Sequence, residues 1–127
     1  MDNTIHKHFD FFLLEAEADI IEAEIVELNA FYAKACSYLD NVQRSGIYES
    51  LSPLLTRLHQ AAARDRAEAN RRRANIENAA DAEIKEILEL FYIKRLTLER
   101  MADKLYCDRT TISRKVKRYC KEYLEKG

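Results

Sequence analysis

Nine side chains between positions 109 and 121 have the chemistry to bind an anionic, hydrogen-bonding surface: Arg109, Thr110, Thr111, Ser113, Arg114, Lys115, Lys117, Arg118 and Lys121. A guanidinium donates in a planar fork that matches guanine edges and phosphates; a hydroxyl donates and accepts; a lysine is a mobile positive charge. At about 3.6 residues per turn, Thr110, Arg114, Lys117, Arg118 and Lys121 share one side of a helix. Ile112, Val116, Tyr119, Cys120 and Tyr123 share the other. Arg109, Thr110, Ser113 and Arg114 are best placed for base edges, arginine to guanine being the commonest specific contact. Lys115, Lys117, Arg118 and Lys121 suit phosphates, which add affinity without sequence information. A merely solvated basic helix is the plainer alternative.

Other chemistries find little support. Cys107 and Cys120 have no CxxC or paired histidine nearby and read as small core residues, while His6 and His8 sit at a terminus expected to fray. His59 reads as a surface side chain. No Ser/His/Asp or Cys/His grouping stands out, and two glycines, Gly46 and Gly127, cannot build a phosphate-cradling loop. No catalytic residue, cofactor or metal is expected, and the chain does not read as an enzyme.

The basic helix needs elements to hold it. Thr97 is a hydroxyl N-cap for a short helix with Leu98, Met101, Ala102 and Leu105 on one face. Asp108 suits the N-cap of the basic helix, where its carboxylate meets orphan amides and the positive dipole end. A short helix, a tight turn and a basic second helix is the pattern of a helix-turn-helix DNA reader. Two helices bury too little by themselves, so residues 82–95, with Ile84, Ile87, Leu88, Phe91 and Tyr92 on one face, are expected to supply the floor. A helix break is expected near residues 78–81, with Asn78 or Asp81 as cap.

Upstream, apolar residues alternate at spacings of 3 and 4 through Phe11, Leu14, Ala18, Ile21, Ile25, Leu28, Tyr32, Ala35, Leu39 and Val42. That period predicts one unbroken coiled-coil-type helix of about 48 Å. Asp10, Glu15, Glu17, Glu22 and Glu24 flank the seam, so a parallel self-pair would repel and a basic partner is wanted. A loop through residues 43–46 and a Ser52-Pro53 helix start then lead into such a partner, with Leu54, Leu55, Leu58, Ala61, Ala62, Ala69 and Ile76 as apolar contributions and Arg57, Arg64, Arg66, Arg71, Arg72 and Arg73 on its flanks. The acidic arm is expected to take the arginines from 57 to 73 and leave the second basic helix open. The arms could pair within one chain or between two.

Composition agrees with this layout. One proline and two glycines leave almost no punctuation for hairpins, and 47% hydrophobic residues argue against disorder. Residues 1–56 hold ten acids and three bases (−7), residues 57–78 three acids and six bases (+3), residues 79–96 four and three (−1), and residues 97–127 five and nine (+4). A basic end on an acidic chain is a local nucleic-acid footprint. No apolar run approaches the roughly 20 residues a membrane span needs. No secretory signal opens the chain, and three cysteines fit a reducing, cytoplasmic setting. The expected fold is all-α: a long antiparallel helical hairpin, coiled-coil-like, over residues 1–78, then a small three- to four-helix helix-turn-helix domain over 79–127.

Residues 87–124, ILELFYIKRLTLERMADKLYCDRTTISRKVKRYCKEYL, resemble region 4 of bacterial sigma factors and the related reader domain of small phage-encoded transcription activators. The likeness rests on Leu88-Glu89-Leu90 with Tyr92, on Leu96 to Ala102, and on Thr111 to Arg114. It implies a compact helical domain reading the major groove of promoter DNA, often beside RNA polymerase. The family usually has glycine where Arg95 and Tyr106 stand here, and the turn residue after the first helix commonly sits at positive φ, where a side chain is strained. Nothing upstream resembles a promoter-melting region; the acidic arm stands in its place. The resemblance therefore points to a phage or prophage late-gene activator: a sequence-specific transcription regulator binding double-stranded DNA, with RNA polymerase and a second copy, paired through the arm, as further expected partners. A phage small-terminase-like packaging adaptor and a coiled-coil protein-interaction module are the alternatives.

Overall fold

The computed structural model describes residues 1–125 and is helical throughout, with no strand among the described residues. Lys126 and Gly127, the end of the expected reader domain, lie outside them. The helices are α1 (Asn3–Phe9), α2 (Phe12–Cys36), α3 (Asn41–Glu77), α4 (Ala82–Leu88), α5 (Leu98–Leu105) and α6 (Arg109–Tyr119). Single π-helical turns, Glu89–Ile93 and Cys120–Leu124, prolong α4 and α6. The chain forms two compact units: Leu13–Glu68, and Met1–Phe12 together with the chain from Ala69 onward.

Within Leu13–Glu68 the heptad holds, but the helix it predicted is shorter. Ala18 and Ile25 are buried, and Leu14, Ile21, Leu28, Tyr32, Ala35 and Leu39 are half-buried, as seam residues should be. Val42 is exposed, because α2 ends at Cys36 and a turn through residues 37–40 intervenes. The loop expected at 43–46 is helical instead. Asp40 Oδ1 accepts from Gln43 N (2.8 Å) and Gln43 Oε1 accepts from Asp40 N (3.2 Å), a reciprocal capping box that starts α3 there. Ser52 and Pro53, expected to open a helix, lie inside α3. Pro53 forfeits a backbone bond, but Leu51, Leu55, Leu58 and Ala62 run through it at 4-3-4 spacing, all at least half-buried.

Contacts between α2 and α3 run in opposite order along the two helices. Arg66 Nη2 lies 2.9 Å from Glu22 Oε2 and also bonds Asp19, while near the turn the Tyr32 and Tyr48 rings are 6.3 Å apart and Arg44 Nε donates to Cys36 O (2.8 Å). The exposed Glu22 carboxyl is held below its ordinary range by the hydrogen bond from Arg66.

In the other unit the N-terminus is ordered, contrary to the expected fraying. Asp2 Oδ1 accepts from Thr4 N (3.0 Å) and Ile5 N (3.2 Å), capping α1 and directing Ile5, His8 and Phe9 inward. His6 Nδ1 meets the Tyr92 hydroxyl at 2.9 Å, and His8 Nε2 meets Glu125 Oε1 at 3.1 Å. The bond to His8 holds the Glu125 carboxyl below its usual range, and burial pushes the Tyr92 phenol up. The arginine run of α3 is engaged as well: Arg72 Nη1 donates to Asp10 O (2.7 Å), Arg71 Nη2 donates to Lys7 O (3.4 Å), and the Arg73 guanidinium lies 4.0 Å above the Phe11 ring.

The break expected near 78–81 is present. α3 ends at Glu77, and Asp81 Oδ1 accepts from Glu83 N (2.8 Å) and Ile84 N (3.2 Å) to start α4. Ile84, Ile87, Leu88 and Tyr92 are buried as expected, while Phe91 is half-buried. Leu90 joins them, since the π turn closed by Lys94 N to Glu89 O (2.9 Å) shifts the helical phase by one residue.

Among the described residues two that are not glycine adopt positive φ, Arg95 (59°) and Tyr106 (56°). Tyr106 ends α5 in the left-handed conformation and is 95% exposed, so its side chain contributes almost no burial. The left-handed conformation costs a side-chain-bearing residue roughly 1–2 kcal/mol, against roughly 0.4–1 kcal/mol for glycine's extra freedom in the unfolded chain. Tyr106→Gly should therefore stabilise the protein by about 0.5–1 kcal/mol, read as a raised denaturant midpoint at unchanged slope. A lowered midpoint would mean that the Tyr106 ring has a packing role its exposure does not suggest.

Candidate nucleic-acid interface

The surface carrying the nine candidate residues is set by α5, the turn and α6. Thr97 Oγ1 accepts from Arg100 N (3.2 Å), fixing the start of α5, whose Met101 is fully buried. After the left-handed Tyr106, Cys107 N donates to Ala102 O (3.1 Å) and the chain enters α6. Asp108 occupies the N-cap position with extended backbone, but its side chain makes no capping bond. The expected carboxylate cap is thus absent; only the charge remains near the positive dipole end.

α6 is held from one side. Ile112, Val116, Tyr119 and Cys120 are buried, and the Tyr119 hydroxyl accepts from Ala80 N (3.2 Å) just before the α4 cap. Burial pushes the Cys120 thiol up to about 11, so it stays protonated and acts as a small core residue. Tyr123, expected on the core side, is exposed and stacks on Tyr119 with ring centroids 4.8 Å apart. The π turn Cys120–Leu124 supplies the physical reason: it rotates Tyr123 away from the α6 register.

On the outer side Thr110, Arg114, Lys117, Arg118 and Lys121 are all exposed, as the helical wheel predicts. The remaining four are arranged differently. Arg109 is exposed and its Nη1 lies 3.3 Å from Glu99 Oε1; Thr111 and Ser113 are half-buried. Lys115, expected at a phosphate, is half-buried and bonded to Glu83, which holds its ammonium charged above the ordinary lysine range. It lies on the flank toward α4. Five exposed donors thus stand on one face, and Arg109 beside them is engaged with Glu99.

α1 borders this surface too, a placement the sequence motifs did not reveal. Its Asp2 and Ile5, with Thr110, Ser113, Arg114 and Lys117, surround a shallow cleft of about 350 Å³. A second cleft of about 250 Å³ lies between Thr4, Ile5, Lys7, Lys117, Cys120, Lys121 and Glu125. The Asp2 carboxyl is held low chiefly by the Thr4 hydroxyl bond, with Lys117 adding to it. The signal that could have found α1 is Asp2 ahead of Ile5, His8 and Phe9 at 3-1 spacing, a capped amphipathic turn.

Among the described residues no three His, Cys, Asp or Glu side chains come together as a metal site, and no helix is long and apolar enough to cross a membrane. No family model, curated protein or solved structure matches the chain.

Proposed function

We propose that α5, the Tyr106 turn and α6 form a helix-turn-helix, and that the chain is a sequence-specific transcription regulator reading the DNA major groove with α6. The observation that carries this reading is the pair of positive-φ residues. Arg95 and Tyr106, the two positions where the sigma region-4-like pattern has glycine, are the two non-glycine residues with left-handed backbone among those described. A chance likeness in composition would not place backbone strain at both of the pattern's glycine positions.

The exposed face supports the assignment of roles. Thr110 and Arg114 reach base edges from the first turns of α6, while Lys117, Arg118 and Lys121 meet phosphate. Arg109 exchanges Glu99 for DNA. The arm of α2 and α3 is the antiparallel hairpin that replaces the remainder of a sigma factor, and RNA polymerase is the natural partner of such a layout. Because one reader spans few base pairs, tight binding requires a second reader or a partner protein. The test compares the chain with its Arg114→Ala/Lys117→Ala variant on duplex DNA over a range of salt. Unchanged affinity and unchanged salt dependence would defeat the reading and leave the helical arm as the functional part.

A further inference from the structure

The unit Leu13–Glu68 carries a second seam that nothing within it covers. Leu13, Glu17, Ile20, Glu24, Glu27 and Phe31 recur on α2 at spacings of 4, 3, 4, 3 and 4. Leu13 is 72%, Ile20 61% and Phe31 65% exposed. On α3, Leu54, Arg57, Ala61 and Arg64 recur at 3, 4 and 3, with Leu54 and both arginines exposed. Both rows stand on the same side of the helix pair. Arg66 and Glu22 mark the opposite side, since Glu22 follows seam residue Ile21 by one position whereas Glu24 precedes Ile25 by one.

The charges on this face are segregated and unpaired. Among the described residues Glu17, Glu24 and Glu27 have no ion-pair partner, and neither do Arg57 and Arg64. An acidic row beside a basic row is self-complementary under a two-fold axis parallel to the helices. That axis lays each α2 on the other copy's α3, antiparallel. A two-fold across the helices would set acid on acid and is disfavoured.

Register is set by the contacts nearest the turn, where the Tyr32 ring lies beside Tyr48 and Arg44 bonds Cys36 O. Eight residues back along α2 and eight on along α3 bring Glu24 level with Thr56, beside Arg57. By the same count Glu17 is level with Ala63, beside Arg64, and Ile20 with Gln60, beside Ala61. The face is two helices wide, about 18–20 Å, and α2 is roughly 38 Å long, giving roughly 700 Å² per chain, close to the roughly 800 Å² per partner of stable complexes.

We infer that this face binds a second copy of the chain, forming a two-fold four-helix bundle with Glu24 of each copy on Arg57 of the other, Glu17 on Arg64, and Ile20 and Phe31 buried between them. No nucleic acid takes part, and the pairing holds whether or not α6 reads DNA.

The test is the mass of the full chain in solution, measured by sedimentation over micromolar concentrations without DNA. The wild type should run at twice the 14.9 kDa chain mass. Ile20→Glu with Phe31→Glu should run as a monomer with helical circular dichroism retained, because both residues are exposed within one chain. Glu24→Arg alone and Arg57→Glu alone should each weaken self-association roughly three- to thirtyfold, and the two together should restore it. A monomeric wild type, a ring of higher order, or a dimer untouched by the Ile20/Phe31 variant would each overturn the inference. So would failure of the double charge reversal to restore association.

Discussion

Arg114→Ala is expected to flatten the discrimination between the cognate duplex and single-base-pair mismatches, with little effect on folding. Arg114 is exposed at the centre of the outer face of α6 and makes no ion pair among the described residues. It can offer a guanine both donors of its fork without first breaking a bond, and such a bidentate contact is worth about 1–3 kcal/mol of discrimination. The loss should therefore be roughly five- to 150-fold at one position of the site and small elsewhere. Lys117→Ala should behave differently, weakening cognate and random duplexes alike and reducing the slope of log affinity against log salt by about 1. Titrations of both variants at several salt concentrations separate the two effects. If Arg114→Ala lowered all sequences equally, Arg114 would be a phosphate contact and base reading would fall to Thr110 and Arg109.

Phe9→Ala should produce the largest loss of stability. Its ring is fully buried, 5.7 Å from the Tyr92 ring, on a helix capped by Asp2 and tied by His6 and His8 to Tyr92 and Glu125. Truncating a buried phenylalanine costs about 3–5 kcal/mol from lost burial and the cavity left behind, a large share of the roughly 5–15 kcal/mol typical of a domain. Denaturant unfolding should show the midpoint falling by a corresponding amount. A loss below about 1 kcal/mol would mean that the core closes without α1. Because Asp2 and Ile5 border the cleft beside Thr110, Arg114 and Lys117, removing α1 should disturb the basic face as well as the core.

Much of this was legible in the sequence where one strong local signal stood alone. Thr97, Asp81, Met101, Ile112 and Val116 sit where caps and periodicity placed them. The seam of α2 was legible for the same reason, from Leu14 through Ala35. The misreadings came where two signals competed. Ser52-Pro53 looked like a helix start, but the Asp40–Gln43 box had already begun α3, and continuous burial from Leu51 to Ala62 carried the helix through the proline. Val42 continued the heptad numerically, yet the turn at residues 37–40 removed it from the seam.

Other features needed three dimensions. That Lys115 turns to Glu83 while Lys117 makes no ion pair among the described residues depends on where α4 lies, which periodicity does not encode. The two π turns shift phase by one residue, burying Leu90 and exposing Tyr123. The positive φ at Arg95 and Tyr106 has no sign in the residues themselves, since glycine is the usual signal and is missing from both positions; only the resemblance, whose pattern has glycine there, pointed to it.

Selection of bound sequences from random duplex DNA by the full-length wild-type chain tests groove reading by α6 most directly. Enrichment of one shared element, lost in the Arg114→Ala chain, is the expected result. Recovery of duplexes with no common sequence, by a chain that is demonstrably folded, would contradict it.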